Sequence, residues 1–176
     1  MDWMNMIGGL AQQMAGGGAP PPGQMEQHYD QMAQSTPLSS IAGGLAAAFR
    51  SNQTPAFAQM AAQLFGASNG TQQASLLNTL LATAGPALLS GALTSGKMPG
   101  LSSLLGGGGA RELTPSEVAR VPAEEVQRLA EHVEKHDPSI VDRVSEMYAQ
   151  HPGVVKTLGG AALAIALAKI AQSTQR

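Results

Sequence analysis

Apolar residues recur at helical spacing along most of this chain, and glycines and prolines divide them into short segments. The first segment places Trp3, Ile7, Leu10 and Met14 on one side of a helix and glutamines on the other. A Gly- and Pro-rich run, residues 16–23, follows it. Because such a run cannot continue a helix, the pattern predicts a short amphipathic start and then a linker.

The next region is rich in Ala, Leu and Gln, with turn signals at intervals. Thr-Pro pairs at 36–37 and 54–55 are typical of a helix cap followed by the first helical residue. These signals, with Asn-Gly and Gly-Pro further on, predict four short helices at residues 38–50, 55–65, 71–84 and 86–94. The second helix carries an apolar stripe made of Phe57, Met60, Ala61, Leu64 and Phe65.

A second Gly-rich stretch, residues 96–112, predicts another linker before the most strongly patterned part of the chain. The sequence directly after it has the form of a capping box. In that box Thr114 caps the helix, Pro115 begins it, and Glu117 can accept a hydrogen bond from the Thr114 amide. Two or three further helices follow, so residues 113–176 predict a small bundle of three or four helices.

The last two predicted helices of this bundle differ in character. The first has one apolar stripe, formed by Ile140, Val141, Val144, Met147 and Tyr148. The second is apolar on all sides over residues 154–171, apart from two lysines, and so must be buried by protein or by lipid. We expect burial within the bundle, with an oligomer interface or a membrane as the alternatives.

The pattern therefore predicts an all-α protein of short helices joined by Gly/Pro-rich linkers. Much of the apolar content is Ala, which buries little area, so we expect a small folded domain with a long appendage rather than one large core. The predicted organisation is an amphipathic start and linker at 1–24, a helical region at 25–95, a linker at 96–112 and a bundle at 113–176.

Charge and composition exclude several classes of function. Residues 1–110 contain five charged side chains and residues 111–156 contain fifteen, with a net charge of -2 for the chain. No basic stripe is available for phosphates, so we expect no nucleic-acid binding. The absence of Cys excludes a disulfide framework and a thiolate nucleophile. No signal-peptide pattern is present, and we expect a cytoplasmic protein, or alternatively one that is membrane-associated or exported without a cleaved signal.

Candidate chemistry is sparse. His132 and His136 lie four residues apart on one predicted helix, a spacing that two metal ligands could use. Both fall on the polar flank of that helix without a fixed third ligand, so a solvated helix face is the expected interpretation. The nucleophile elbow, the phosphate-binding loop and the dinucleotide-binding Gly motif are all missing. We therefore expect no enzyme, no cofactor and no metal.

The combination of Gly-rich spacers, short Ala/Leu/Gln helices and the sequence Leu-Thr-Pro-Ser-Glu-Val at 113–118 resembles the YidB-like group of uncharacterised bacterial proteins. The resemblance covers about residues 40–150. It implies a bacterial origin and a small helical domain that opens at the Leu-Thr-Pro motif. It carries over no catalytic residue. The segment 140–176 departs from the pattern of that group.

These observations predict a non-enzymatic protein that acts through helix-mediated contacts, by forming a homo-oligomer or by binding another protein. The alternatives are a membrane-associated protein that uses residues 154–171 and a secreted factor of harpin-like composition. The predicted interaction surface comprises Trp3, Ile7, Leu10, Phe57, Leu64, Phe65, Ile140, Val144 and Met147.

Overall fold

The structure, a computed structural model, describes residues 22–106 and 111–175, together with Gln12. The described residues are 79% helical and form ten α-helices and no strand. The predicted all-α class with short helices is confirmed. The helices are α1 Pro22–Ser35, α2 Leu38–Phe49, α3 Phe57–Ala67, α4 Gly70–Thr94, α5 Pro99–Leu105, α6 Pro115–Val118, α7 Ala123–His136, α8 Ile140–Ala149, α9 Pro152–Val155 and α10 Gly160–Thr174, with a 3₁₀ turn at Lys156–Leu158.

The helices predicted from local turn signals occur within a few residues of their expected bounds. α2 and α3 match the predictions at 38–50 and 55–65. The third and fourth predicted helices run together as α4, but Gly85 (φ 71°, ψ 167°) interrupts the helical path directly before Pro86. A positive φ of this size suits glycine, which has no Cβ to clash. The expected break is therefore present as a kink.

Two helices were missed by the sequence pattern. α1 occupies residues that had no helix assigned, and its apolar face is narrow because few of its residues are apolar. Met25 and Tyr29, four residues apart, are fully buried, and Asp30 pairs with Lys156 at 2.7 Å. Burial, and then the neighbouring Asp30 carboxylate, raises the pKa of Tyr29. The second missed helix, α5, lies inside the predicted linker 96–112.

The core is shared between the two halves of the chain. α2 packs between α8 and α10, and α3 packs against α7, so the core runs from residues of α1 to residues of α10. The expectation of a small bundle with a long appendage is therefore wrong in its packing: the predicted regions 25–95 and 113–176 bury each other's apolar faces. The helices that cover the apolar sides of α2 and α3 lie far from them in the sequence.

The contact between α2 and α10 depends on small residues. A Cβ on Gly44 would lie 2.7 Å from the carbonyl oxygen of Ala166 and 2.7 Å from Cγ1 of Ile170. No side chain fits at such distances. The backbones of α2 and α10 therefore come into contact at Gly44, which has no side-chain atom. Gly43, next in the chain, faces away and has nothing within 4 Å of its Cβ position.

The all-round apolar segment at 154–171 is broken, contrary to the single helix that the sequence predicted. α9 and the 3₁₀ turn end at Gly159 (φ 90°, ψ 168°), and α10 begins at Gly160. The break lets Val155 and Leu158 enter the core from a different direction than Leu163 and Ile170. Apolar residues on two sides of one continuous helix would not all reach the same core. The predicted burial within the protein is found.

The capping box at the start of α6 forms as the sequence predicted. The Thr114 amide donates to Glu117 Oε2 at 2.9 Å, and the Arg111 guanidinium donates to Glu117 Oε1 at 2.5 Å. These two hydrogen bonds lower the pKa of Glu117 to about 2, and the one from the Thr114 amide has the larger effect. An ionised carboxylate is thus the form that the fold stabilises at this helix start.

We expect Gly44→Ala to destabilise the fold by about 1–3 kcal/mol, because the new methyl group would press on the backbone of α10. Gly43→Ala is the matched control on the same helix. It should be stabilising by about 0.5–1 kcal/mol, since Ala is the better helix former and has open space there. Urea unfolding followed by circular dichroism measures both, and equal effects would contradict the close contact.

Glu117 should contribute to stability only while it is ionised. Because its pKa is lowered in the folded state, its contribution is present above the ordinary value of 4.5 and is lost as the pH falls towards about 2. The stability difference between the wild-type protein and Glu117→Gln should therefore shrink over that pH interval. Thermal unfolding at a series of pH values measures it, with Glu112→Gln as the control, and a difference that stays constant would argue against this assignment.

Candidate functional site

The predicted contact residues of the folded part lie in the core. Phe57, Leu64, Phe65, Ile140 and Val144 are each at most 3% exposed. Met147 is half-buried and packs against the same core. The prediction that they form an interaction surface is therefore wrong for the five core residues. Their stripes were identified correctly, but the partner that covers each stripe is another helix of the same chain.

The other three predicted contact residues, Trp3, Ile7 and Leu10, lie outside the described residues. Gln12 is the one residue of their segment that the structure describes. It is helical and exposed, as the polar side of the predicted amphipathic helix requires. The apolar stripe of this segment stays a prediction.

The histidine pair lies on the surface of α7. The ring centroids of His132 and His136 are 5.1 Å apart, and both side chains are exposed. Nδ1 of His136 lies 2.9 Å from the carbonyl oxygen of His132, so one ring nitrogen is engaged with its own helix. Within residues 22–106 and 111–175, no group of three or more His, Cys, Asp or Glu side chains is arranged to hold a metal ion.

A pocket of about 300 Å³ lies between the end of α4 and one face of α7. The α7 wall consists of four residues at helical spacing, and Lys97 and Met98 reach it from the turn after α4. Sequence reasoning identified the polar flank of α7 but not the element that faces it. The lining comprises Gly91, Ala92, Ser95, Lys97, Met98, Arg128, Glu131, His132 and Lys135.

Hydrogen bonds fix the positively charged side of this pocket. Nη1 of Arg128 donates to the carbonyl oxygen of Lys97 at 2.7 Å and so ties α7 to the turn after α4. Lys135 donates to Glu131 at 2.7 Å, one turn apart on α7. The guanidinium of Arg128 therefore has a defined orientation at the pocket, and the carboxylate of Glu131 is engaged with Lys135.

A buried carboxylate holds the turn that carries Lys97. Glu125 is 4% exposed, and its two oxygens accept hydrogen bonds from the amides of Gly100 and Leu101, each at 2.8 Å. These are the unpaired amides at the start of α5, where a negative charge is favoured. A Cβ on Gly100 would lie 3.0 Å from a Glu125 oxygen, which explains the glycine. The sequence offered one signal for α5 that could have been used, Pro99 at its first position.

One helix of the described ranges, α4, is long and apolar enough to cross a membrane by length and composition, and 33% of its most apolar window is buried. The core helix of a soluble protein passes the same test. The segment at 154–171, which the sequence suggested for this role, contains α10 of only 15 residues after the break at Gly159. α10 is shorter than the roughly 20 residues that a membrane span needs. Membrane association through residues 154–171 stays a prediction.

Comparison with protein-family models, with curated proteins and with solved structures found no match. The resemblance to the YidB-like group stays a prediction.

Replacing Glu125 by Ala should cost about 2 kcal/mol or more, because two buried amides of α5 would lose their acceptor. Glu124→Ala is the control, since Glu124 is the exposed neighbour on the same helix turn, and it should change stability by only about 0.5 kcal/mol. Amide hydrogen exchange adds a local readout. The amides of Gly100 and Leu101 should exchange much faster in the first variant, and unchanged rates there would show that the carboxylate does not hold α5.

Proposed function

We propose that this chain is a non-enzymatic helical protein that acts through contacts between helices, and that it self-associates through the apolar stripe of its N-terminal segment. This N-terminal stripe is defined as Trp3, Ile7, Leu10 and Met14. The folded body, residues 22–106 and 111–175, carries the stripe and supplies stability.

The observation that carries the proposal is how completely the described body covers its own apolar residues. Among its large apolar side chains, only Leu38 is exposed, with 54% of its surface accessible. The contact residues predicted on α3 and α8 are used in the core. The N-terminal stripe is a further amphipathic pattern of the sequence, and we take it as the candidate for an intermolecular contact.

A second copy of the same segment suits the N-terminal stripe for electrostatic reasons. Asp2 is the only charged side chain among the first 25 residues, so two copies can approach with little repulsion. The lack of cations also removes the attraction to anionic lipid on which membrane-surface helices depend. An apolar stripe with a large aromatic anchor and almost no charge favours pairing with another apolar helix.

Trp3 is the only tryptophan of the chain, so its fluorescence reports on this segment alone. We expect the mass measured by light scattering to rise with protein concentration and the Trp3 emission to shift to the blue over the same range. The double variant Ile7→Glu with Leu10→Glu should remain monomeric, with an emission that does not depend on concentration. Removing two apolar contacts and adding charge to the pairing face should reduce self-association by a factor of about 100 or more.

The control is Gln12→Glu with Gln13→Glu, which adds the same charge to the opposite side of the segment and should leave self-association intact. A monomeric wild-type protein at all concentrations would overturn the proposal. Equal behaviour of the two double variants would show that the stripe is not the contact. If the protein floats with liposomes and its Trp3 emission shifts only when lipid is present, membrane binding replaces self-association.

A further inference from the structure

The pocket between α4 and α7 brings together cations from two separate elements. Lys97 approaches from the turn after α4, while Arg128 and Lys135 stand on α7. Glu131 is the one carboxylate among the lining residues. Three cations and one carboxylate leave an excess of two positive charges at this site, in a chain whose net charge is -2.

Two of these cations have no carboxylate of their own. Arg50, Arg111, Lys135 and Lys156 each form an ion pair in the structure. Within the described part of the chain, neither Lys97 nor Arg128 does. An Arg and a Lys that face one concave site without an acidic partner leave unused donors for an external anion.

The cations are not needed to complete the end of α4. The hydroxyl of Thr94 donates to the carbonyl oxygens of Ser90 and Gly91, and that of Ser95 donates to Ala92. Side-chain hydroxyls thus already serve two of the last four carbonyl groups, those of Gly91 and Ala92, which in other helices attract Lys or Arg. The positive charge of the pocket is therefore left for another partner.

We propose that this pocket binds an oxyanion group, phosphate or carboxylate, carried by a small molecule. The volume of about 300 Å³ is at the small end of ligand pockets and suits a compact molecule. The bond from Nη1 of Arg128 to the Lys97 carbonyl orients the guanidinium, whose remaining N–H groups match two oxygens of one oxyanion. Lys97 adds a second positive charge on a flexible stem. This proposal does not depend on self-association.

Titration with inorganic phosphate and, separately, with citrate tests the assignment. Each titration is followed by amide NMR and compared with sodium chloride at the same ionic strength. Shifts should appear at Lys97, Met98 and His132 beyond those caused by chloride. Lys97→Gln and Arg128→Gln should each weaken binding about tenfold, the effect expected from losing one charged hydrogen bond. The first variant keeps the backbone carbonyl that Arg128 binds, so it stays informative if the second disturbs the fold.

Two further variants separate a built site from general attraction by surface charge. Arg120→Gln removes another exposed cation, outside the pocket, and should leave binding unchanged. Glu131→Gln removes the carboxylate from the pocket and releases Lys135, so it should tighten binding several-fold. The proposal is overturned if neither anion shifts the pocket amides more than chloride does, if Arg120→Gln weakens binding as much as Arg128→Gln, or if Glu131→Gln weakens it. Tighter binding of phosphate or of citrate identifies which oxyanion the site prefers.

Discussion

The close packing of α2 between α8 and α10 is the constraint on which the rest of the fold depends. Gly44 lets the backbone of α2 meet the Ala166 carbonyl directly, and most other contact residues of both helices are small. A composition rich in Ala and Gly seemed to argue against a large core, because each side chain buries little area. Small residues, however, let helix axes come close, so that backbone atoms contribute dispersion contacts that large side chains would prevent. The same composition thus allows one core to include helices from both halves of the chain.

Local features of the fold were predictable from the sequence, and long-range ones were not. The bounds of α2 follow from its periodicity over a few positions, although Pro37, not Thr36, occupies the cap position and no side chain caps the helix. The hydrogen bond between Thr114 and Glu117 follows from the capping-box pattern. α5 was assigned to a linker because its stability comes from Glu125, more than twenty positions away. For the same reason, the stripe with Phe57 and Leu64 was recognised but its partner was not. An apolar face indicates only that something must cover it.

Two of the five charged side chains of the first 110 residues, Asp30 and Arg50, pair with the charged second half. Asp30 pairs with Lys156, and Arg50 forms two hydrogen bonds with Asp142, each at 2.8 Å. The Arg50 guanidinium, through these hydrogen bonds, lowers the pKa of Asp142. The Arg50–Asp142 pair is about half exposed to solvent, so it adds little stability, while the Asp30–Lys156 pair is partly buried. Their value is geometric, because each joins elements from the two halves of the chain, the end of α2 to α8 and α1 to the 3₁₀ turn. A different alignment of those elements would leave the charges without these partners.

The charged face of α7 forms a pocket only together with the end of α4 and the turn after it. In the sequence of α7 alone, Arg128 and Glu131 belong to an ordinary solvated helix face. That sequence does not predict a second element opposite this face. The surface becomes concave only because the chain turns at Gly96 (φ 69°) after α4, and because Glu125 fixes the start of α5 behind that turn. Lys97 is then carried to the face of α7 by backbone geometry, and the hydrogen bond from Arg128 to its carbonyl oxygen holds the turn there. The position of Lys97 in this site therefore depends on Glu125, a buried carboxylate that does not line the pocket.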